Sequence, residues 1–322
     1  MNPNSNPIAD VDYSFKTYST RHAEEKARHM MGNAVPDYAF GMDYELRKKL
    51  DSIPGLFALG KRLLSVQASL FTQRMNQNAV CATPTTFPDI YEIGCECSRR
   101  LGIAVPNIYI MGSSEINAMT LAVDDMEPVI MIYSGLYERF THGELKAVIG
   151  HECGHAQNYH GTYQSLGNLL AQSGIAGVQS VLGGKGQWML TKGAQLALNS
   201  WSRAAEVTAD RAGMICADNL DDCLSVNAKL MYGAAFGEHQ VDYETLKNQL
   251  RMQMSNAMKY AELQYDHPTL VRRMMVEEEF AQCKVYYDWR PDLKQPDSIM
   301  RSREECDERC KKYISLSEKG IQ

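Results

Sequence analysis

Two histidines and a glutamate occur in the order His151, Glu152, His155, the pattern H-E-x-x-H, within the run from Glu144 to His155. On a helix, residues four apart lie one above the other, so both imidazoles reach the same cation while Glu152 points nearby. Imidazole nitrogen is a preferred ligand of Zn²⁺, and a carboxylate beside the ion is placed to act as general base on water. The spacing therefore predicts a zinc-dependent hydrolytic site holding one Zn2+ per chain. The helix is signalled independently by Thr141-His-Gly-Glu144, a capping box, and by the apolar face of Leu145, Val148 and Ile149. The bland alternative is a surface helix that happens to carry two histidines.

A tetrahedral catalytic zinc takes three protein ligands and leaves one position for water. The segment Trp201 to Gly213 holds two carboxylates at i and i+4, Glu206 and Asp210, among Ala205, Ala209, Ala212 and Gly213. Those small residues let a helix approach another closely. Glu206 is then the candidate third metal ligand, and Asp210 a candidate acceptor for an imidazole N–H behind the metal. His267, followed by Pro268, opens a further helical run to about Phe280, with Pro in its first turn and Arg272 and Arg273 following. By its local sequence, His267 fits a structural role, metal ligation or a catalytic one.

The rest of the chain must position these groups. It has 322 residues, 44% hydrophobic and 22% charged, enough for a substantial core. A net charge of -6 with no Lys/Arg-rich block excludes a nucleic-acid footprint. The N-terminus has neither a basic nor an apolar leader region, and nine scattered cysteines fit reduced thiols, so the expected location is cytoplasmic. The close pairs Cys95/Cys97 and Cys306/Cys310 lack partner pairs at zinc-finger spacing. Residues 161–184 carry no charge, yet Gln164, Asn168, Gln172 and Gln179 interrupt them. A hairpin fits better than a membrane span, and peripheral membrane contact stays open.

Three parts are expected: an N-terminal arm over 1–43, a catalytic domain over 44–282 that includes N-terminal helices at 44–80, and a C-terminal tail helix within 283–322. Leu56, Leu59, Leu63, Val66 and Leu70 form a stripe predicting a helix that packs on the catalytic domain or covers its cleft. Pro88 to Leu101 reads as a helix ended by Gly102, and strands are expected after Pro106, from Ile116 to Ala122 and from Pro128 to Tyr133. The strand from Ile116 is the candidate edge for binding a substrate backbone by β-addition. Helices are predicted from Asp221 to Phe236 and from Tyr243 to Tyr260, the latter with Met252, Met254 and Met258 as core filler. The fold class is α+β, mostly helical, zincin-like, with a small β-sheet beside the H-E-x-x-H helix.

With H-E-x-x-H, then S-R-x-x-E-x-x-A-D from Ser202 to Asp210, then His267-Pro with Arg273 six residues on, the chain resembles the HtpX and CAAX prenyl protease family of gluzincin zinc metallopeptidases. The resemblance covers about Pro88 to Glu278. It implies that His151, His155 and Glu206 ligate zinc, that Glu152 activates water, and that Asp210 orients a ligand. It also implies that Asn117, His267 and Arg273 line the substrate and the transition state. Where membrane members of that family insert transmembrane helices, this chain is polar, so it looks more like a soluble branch. The implied function is a metalloendopeptidase acting on peptide or unfolded protein substrates. The competing class is a zinc-binding chaperone-like or scaffold protein without turnover.

Overall fold

The computed structural model describes residues 29–31, 35–52, 55–122, 128–165, 192–233, 242–253 and 267–315. The chain divides into two compact units, Met1–Asp37 and Tyr38–Gln322. In the first, β1 (Met30–Met31) pairs antiparallel with β2 (Val35–Pro36). The second is mostly helical: α1 (Gly41–Asp51), α2 (Leu56–Asn78), α3 (Pro88–Leu101), α4 (Ser134–Tyr137), α5 (His142–Gln157), α6 (Lys192–Cys216), α7 (Leu220–Tyr232), α8 (Tyr243–Gln253), α9 (Leu270–Phe280), α10 (Lys284–Trp289) and α11 (Arg303–Ile314). Its strands are β3 (Ala79–Cys81), β4 (Asn107–Met111), β5 (Ala118–Leu121) and β6 (Val129–Tyr133), in the sheet order β3-β4-β6-β5.

The middle pair β4 and β6 runs parallel, and both strands are almost wholly buried, as a parallel pair covered on both faces should be. β5 pairs antiparallel with β6, with Ala118 opposite Ile132 and Leu121 opposite Val129, and forms an edge of the sheet. The main core joins Ile93 and Cys97 of α3, Ile108 and Ile132 of the sheet, Ile149 of α5 and Ile215 of α6. Each buried isoleucine contributes roughly 1.5–3 kcal/mol, so this cluster locks α5 between the sheet and α6.

Local chemistry explains the boundaries that matter for the site. Thr141 Oγ1 accepts the Glu144 N–H and the Glu144 carboxylate accepts the Thr141 N–H, so the capping box starts α5. Pro88 opens α3, and Gly102 in the left-handed region (φ 68°) closes it. Asn219 caps α7, which stops at Gly233 (φ 80°), short of the expected Phe236. α9 begins at Leu270, so Pro268 lies before the helix and not in its first turn. Tyr243 opens α8 as expected, while Met254 and Met258 lie outside the described residues, as does most of 161–184.

The stripe expected on α2 packs only in its first half, where Leu59 and Leu63 lie against the cluster of Leu50, Tyr163 and Trp201. Leu64, Ala68 and Met75 are buried, whereas Val66 and Leu70 are 60% and 63% exposed. α2 carries apolar residues on more than one face, and periodicity alone does not say which meets the body. All nine cysteines are free thiols. Among the described residues, no helix is long and apolar enough to cross a membrane.

Candidate active site

α5 and α6 pack more closely than ordinary side chains allow. A Cβ at Gly154 would lie 2.6 Å from Ala212 Cβ and 3.1 Å from Ala209 Cα, and one at Gly213 would lie 2.8 Å from the Ala147 carbonyl oxygen. That approach sets the Glu206 carboxylate against the two histidines of α5. His155 Nε2 lies 3.4 Å from Glu206 Oε1, His151 Nε2 lies 3.5 Å from Oε2, and the two Nε2 atoms are 3.1 Å apart. A tetrahedral Zn²⁺ with bonds of about 2.0–2.1 Å separates its ligand atoms by roughly 3.3 Å. The three side chains thus offer ligand atoms at the spacing such an ion requires, all within 4.8 Å of one another.

Charge in the site is balanced locally. Burial alone would raise the Glu206 pKa, but His155, His267 and His151 outweigh it and hold the carboxylate well below its ordinary range. Burial would lower the His155 pKa, and the Glu206 carboxylate turns that into a rise. Behind His151, Asp210 Oδ1 lies 2.9 Å from Nδ1, and the same carboxylate accepts Arg273 through Nε at 2.9 Å and through its terminal nitrogen. Burial opposes ionisation of Asp210, while Arg273 and His151 outweigh it and lower its pKa.

The other expected residues line one cleft of about 780 Å³. Glu152 is buried in its wall beside His151, and its backbone carbonyl accepts the Thr120 hydroxyl of β5 at 3.1 Å, which ties the sheet edge to α5. His267 sits at the mouth, 56% exposed, with Nε2 3.4 Å from Glu206 Oε1. It is not among the three residues whose ligand atoms converge. Arg273 is committed to Asp210, with a further nitrogen 3.7 Å from Glu206 Oε2. Asn117 lines the cleft beside β5, and its Oδ1 accepts the Ala118 N–H at 2.9 Å. Leu64 and Gln67 bring α2 to the cleft wall.

Sequence reasoning missed His160 and Asp43. His160 Nδ1 lies 2.8 Å from His155 Nδ1, and its Nε2 lies 3.2 Å from Asp43 Oδ2. The extension of the motif to H-E-x-x-H-x-x-x-x-H was a visible signal for the first; nothing local marks the second.

The profile of Peptidase family M48 matches residues 84–279. Plastoglobule-localized metallopeptidase 48, chloroplastic, of Arabidopsis thaliana is 30% identical over 216 residues, 67% of this chain and 61% of that protein. A protease HtpX homolog of Ralstonia nicotianae is 25% identical over 176 residues, 50% of this chain and 62% of that one. The chain thus spans about three fifths of the length of these relatives. The crystal structure of S. mikatae Ste24p aligns with a TM-score of 0.41 at 19% identity, over 81% of this chain and 66% of that one, too slight a likeness to carry an argument. With more than half of the chain, including every residue of the convergent ligand group, inside the matched region, the chain belongs to peptidase family M48.

Proposed function

We propose that the chain is a zinc-dependent metalloendopeptidase in which His151, His155 and Glu206 hold the ion. The observation that carries this reading is the convergence of one ligand atom from each of the three, all within 4.8 Å of one another, with the two imidazole nitrogens 3.1 Å apart and a carboxylate oxygen 3.4 or 3.5 Å from each, beside a buried glutamate in a cleft. When bound, zinc would polarise a peptide carbonyl and lower the pKa of water. Glu152 takes the proton of the attacking water and delivers it to the leaving amine. His267, exposed at the mouth, donates to the charge that develops on the carbonyl oxygen, and Arg273 contributes through the carboxylate it holds. β5, an outermost strand of its sheet among the described residues, lies beside Asn117 and offers backbone groups to an extended peptide.

Nine free thiols suit a reducing compartment, so a cytoplasmic location belongs to the same proposal. The test compares wild type with Glu152→Gln at equal zinc content on a proteome-derived peptide library, with new termini mapped by mass spectrometry. Cleavage by wild type alone is the expected result. Equal termini from both proteins, or binding of unfolded chains with no cleavage by either, would favour the scaffold reading.

A further inference from the structure

His160 is wholly buried and both of its ring nitrogens are engaged. The edge of its ring packs against Trp201, with centroids 5.8 Å apart, so its orientation is set by α6 as well as by its own turn. On one side it meets Asp43 of α1, a buried carboxylate that also accepts Thr208 Oγ1 at 2.7 Å; Thr208 in turn accepts the Phe40 N–H at 3.1 Å. On the other side it meets Nδ1 of His155.

With both imidazoles neutral, hydrogen-bond roles along this chain leave one consistent assignment. An ionised carboxylate only accepts, so His160 Nε2 carries the hydrogen toward Asp43. A neutral imidazole then has a bare Nδ1, which accepts. The 2.8 Å contact with His155 Nδ1 therefore requires His155 to donate from that atom, leaving the lone pair on His155 Nε2. That is the nitrogen 3.1 Å from His151 Nε2 and 3.4 Å from Glu206 Oε1. His151 reaches the same state by another route, since its Nδ1 faces the Asp210 carboxylate. With neutral imidazoles, three lone-pair donors then converge, an arrangement that a bound cation stabilises.

The geometry points to His160 and Asp43 as a positioning relay that fixes the metal-facing nitrogen of His155, making α1 a working part of the metal centre. Asp43 lies outside the region 84–279 that defines the family match, so the relay reaches beyond the catalytic segment. A buried histidine serving only as filler between α1 and α6 would have no need to align both nitrogens on a ligand and a carboxylate. Partners of this kind typically govern metal affinity by about 10- to 100-fold.

This inference rests on His155 being a ligand, so the test includes that residue as a reference. Zinc affinity of the full chain is measured by chelator competition, and the cobalt(II) form by its visible absorption, for wild type, His155→Ala, His160→Phe and Asp43→Asn. His160→Phe is expected to lose about 10- to 100-fold in affinity with a shifted cobalt band, and Asp43→Asn to lose less in the same direction. Thermal melts of the metal-free proteins separate this from a packing defect, which would lower the melting temperature and leave affinity and band unchanged. Affinities within about twofold of wild type, with an unshifted band, would overturn the relay. If His155→Ala also kept its zinc, the ligand assignment itself would fall. Should a variant not fold, histidine ¹⁵N shifts of the zinc-loaded wild type decide: hydrogen on His160 Nε2 and His155 Nδ1 supports the relay, and the opposite tautomers overturn it.

Discussion

Asp210 stands between the His151 imidazole and a guanidinium: its Oδ1 is 2.9 Å from His151 Nδ1 while its Oδ2 accepts Arg273 Nε at 2.9 Å. All of its partners are donors, so an amide in its place sets an NH₂ group against either the imidazole N–H or the guanidinium. Asp210→Asn should therefore lower zinc affinity by about 10- to 100-fold with little change in overall structure. Chelator competition measures this directly, and an affinity equal to wild type would show that His151 needs no carboxylate behind it.

The second prediction concerns the closeness of α5 and α6. Gly154 has no room for a methyl group, because Ala212 Cβ and Ala209 Cα would lie 2.6 and 3.1 Å from it. Alanine is intrinsically the better helix former, by about 1 kcal/mol. Contact with backbone on the facing helix outweighs that gain, since overpacking typically costs about 1–3 kcal/mol. Gly154→Ala should lower the melting temperature and, by pushing His155 away from Glu206, weaken zinc binding. A more stable variant with unchanged affinity would mean that the helices separate freely.

How much of this was legible in the sequence depended on the range of the interaction. The capping box, the histidine pair and the Glu206/Asp210 pair are local patterns, and α5 and α6 carry them where the spacing says. The small residues around Glu206 foretold a close helix contact, although not which residues they would face. Long-range partners outside the metal-ligand chemistry left no trace of their pairing: Asp43 and His160 are 117 positions apart, and Arg211 and Asp307 are 96 apart. The α2 stripe held at Leu59 and Leu63 and misled beyond them, because Leu64 and Ala68 pack against Leu121 of β5 while Val66 and Leu70 are exposed. Apolar spacing specifies a helix, but the choice of face depends on the surface it meets.

The third prediction tests the attachment of the C-terminal helix. Arg211 is buried on α6, donates to the Tyr38 carbonyl at 3.1 Å and to Asp307 of α11 at 2.7 Å, and lies against the rings of Phe40 and Phe280. Burial works against its charge, but Asp307 and the surrounding groups reverse this and raise its pKa. Asp307 also accepts the Gly41 N–H at 3.0 Å, at the start of α1. Asp307→Ala strands a buried cation and should cost about 3–5 kcal/mol in denaturant unfolding. Arg211→Met removes the cation and leaves a partly exposed carboxylate that water can reach, so it should cost less. The reverse order would mean that aromatic packing around Arg211, and not its charge, holds α11 in place.

The last prediction concerns Glu277, buried in the cleft wall on α9 one turn beyond Arg273. Asn227 Nδ2 lies 2.9 and 3.0 Å from its two carboxyl oxygens. Burial, followed by the nearby Asp210 charge, pushes its pKa well above the ordinary carboxylate range, with Arg273 and Asn227 opposing only in part. The folded state therefore binds the proton more tightly than the unfolded chain. The resulting stabilisation is complete below the ordinary Glu value of about 4.3 and is lost as pH rises from there through the folded value. Glu277→Gln keeps the shape of the side chain and removes the titration, so its stability should decline less than that of wild type between about pH 5 and 8. The comparison is made by denaturant unfolding of the metal-free proteins in chelator, so that zinc release does not add its own pH dependence. Parallel curves across that range would show that Glu277 titrates alike in the folded and unfolded chains, and that the cleft wall is wetter than its burial implies.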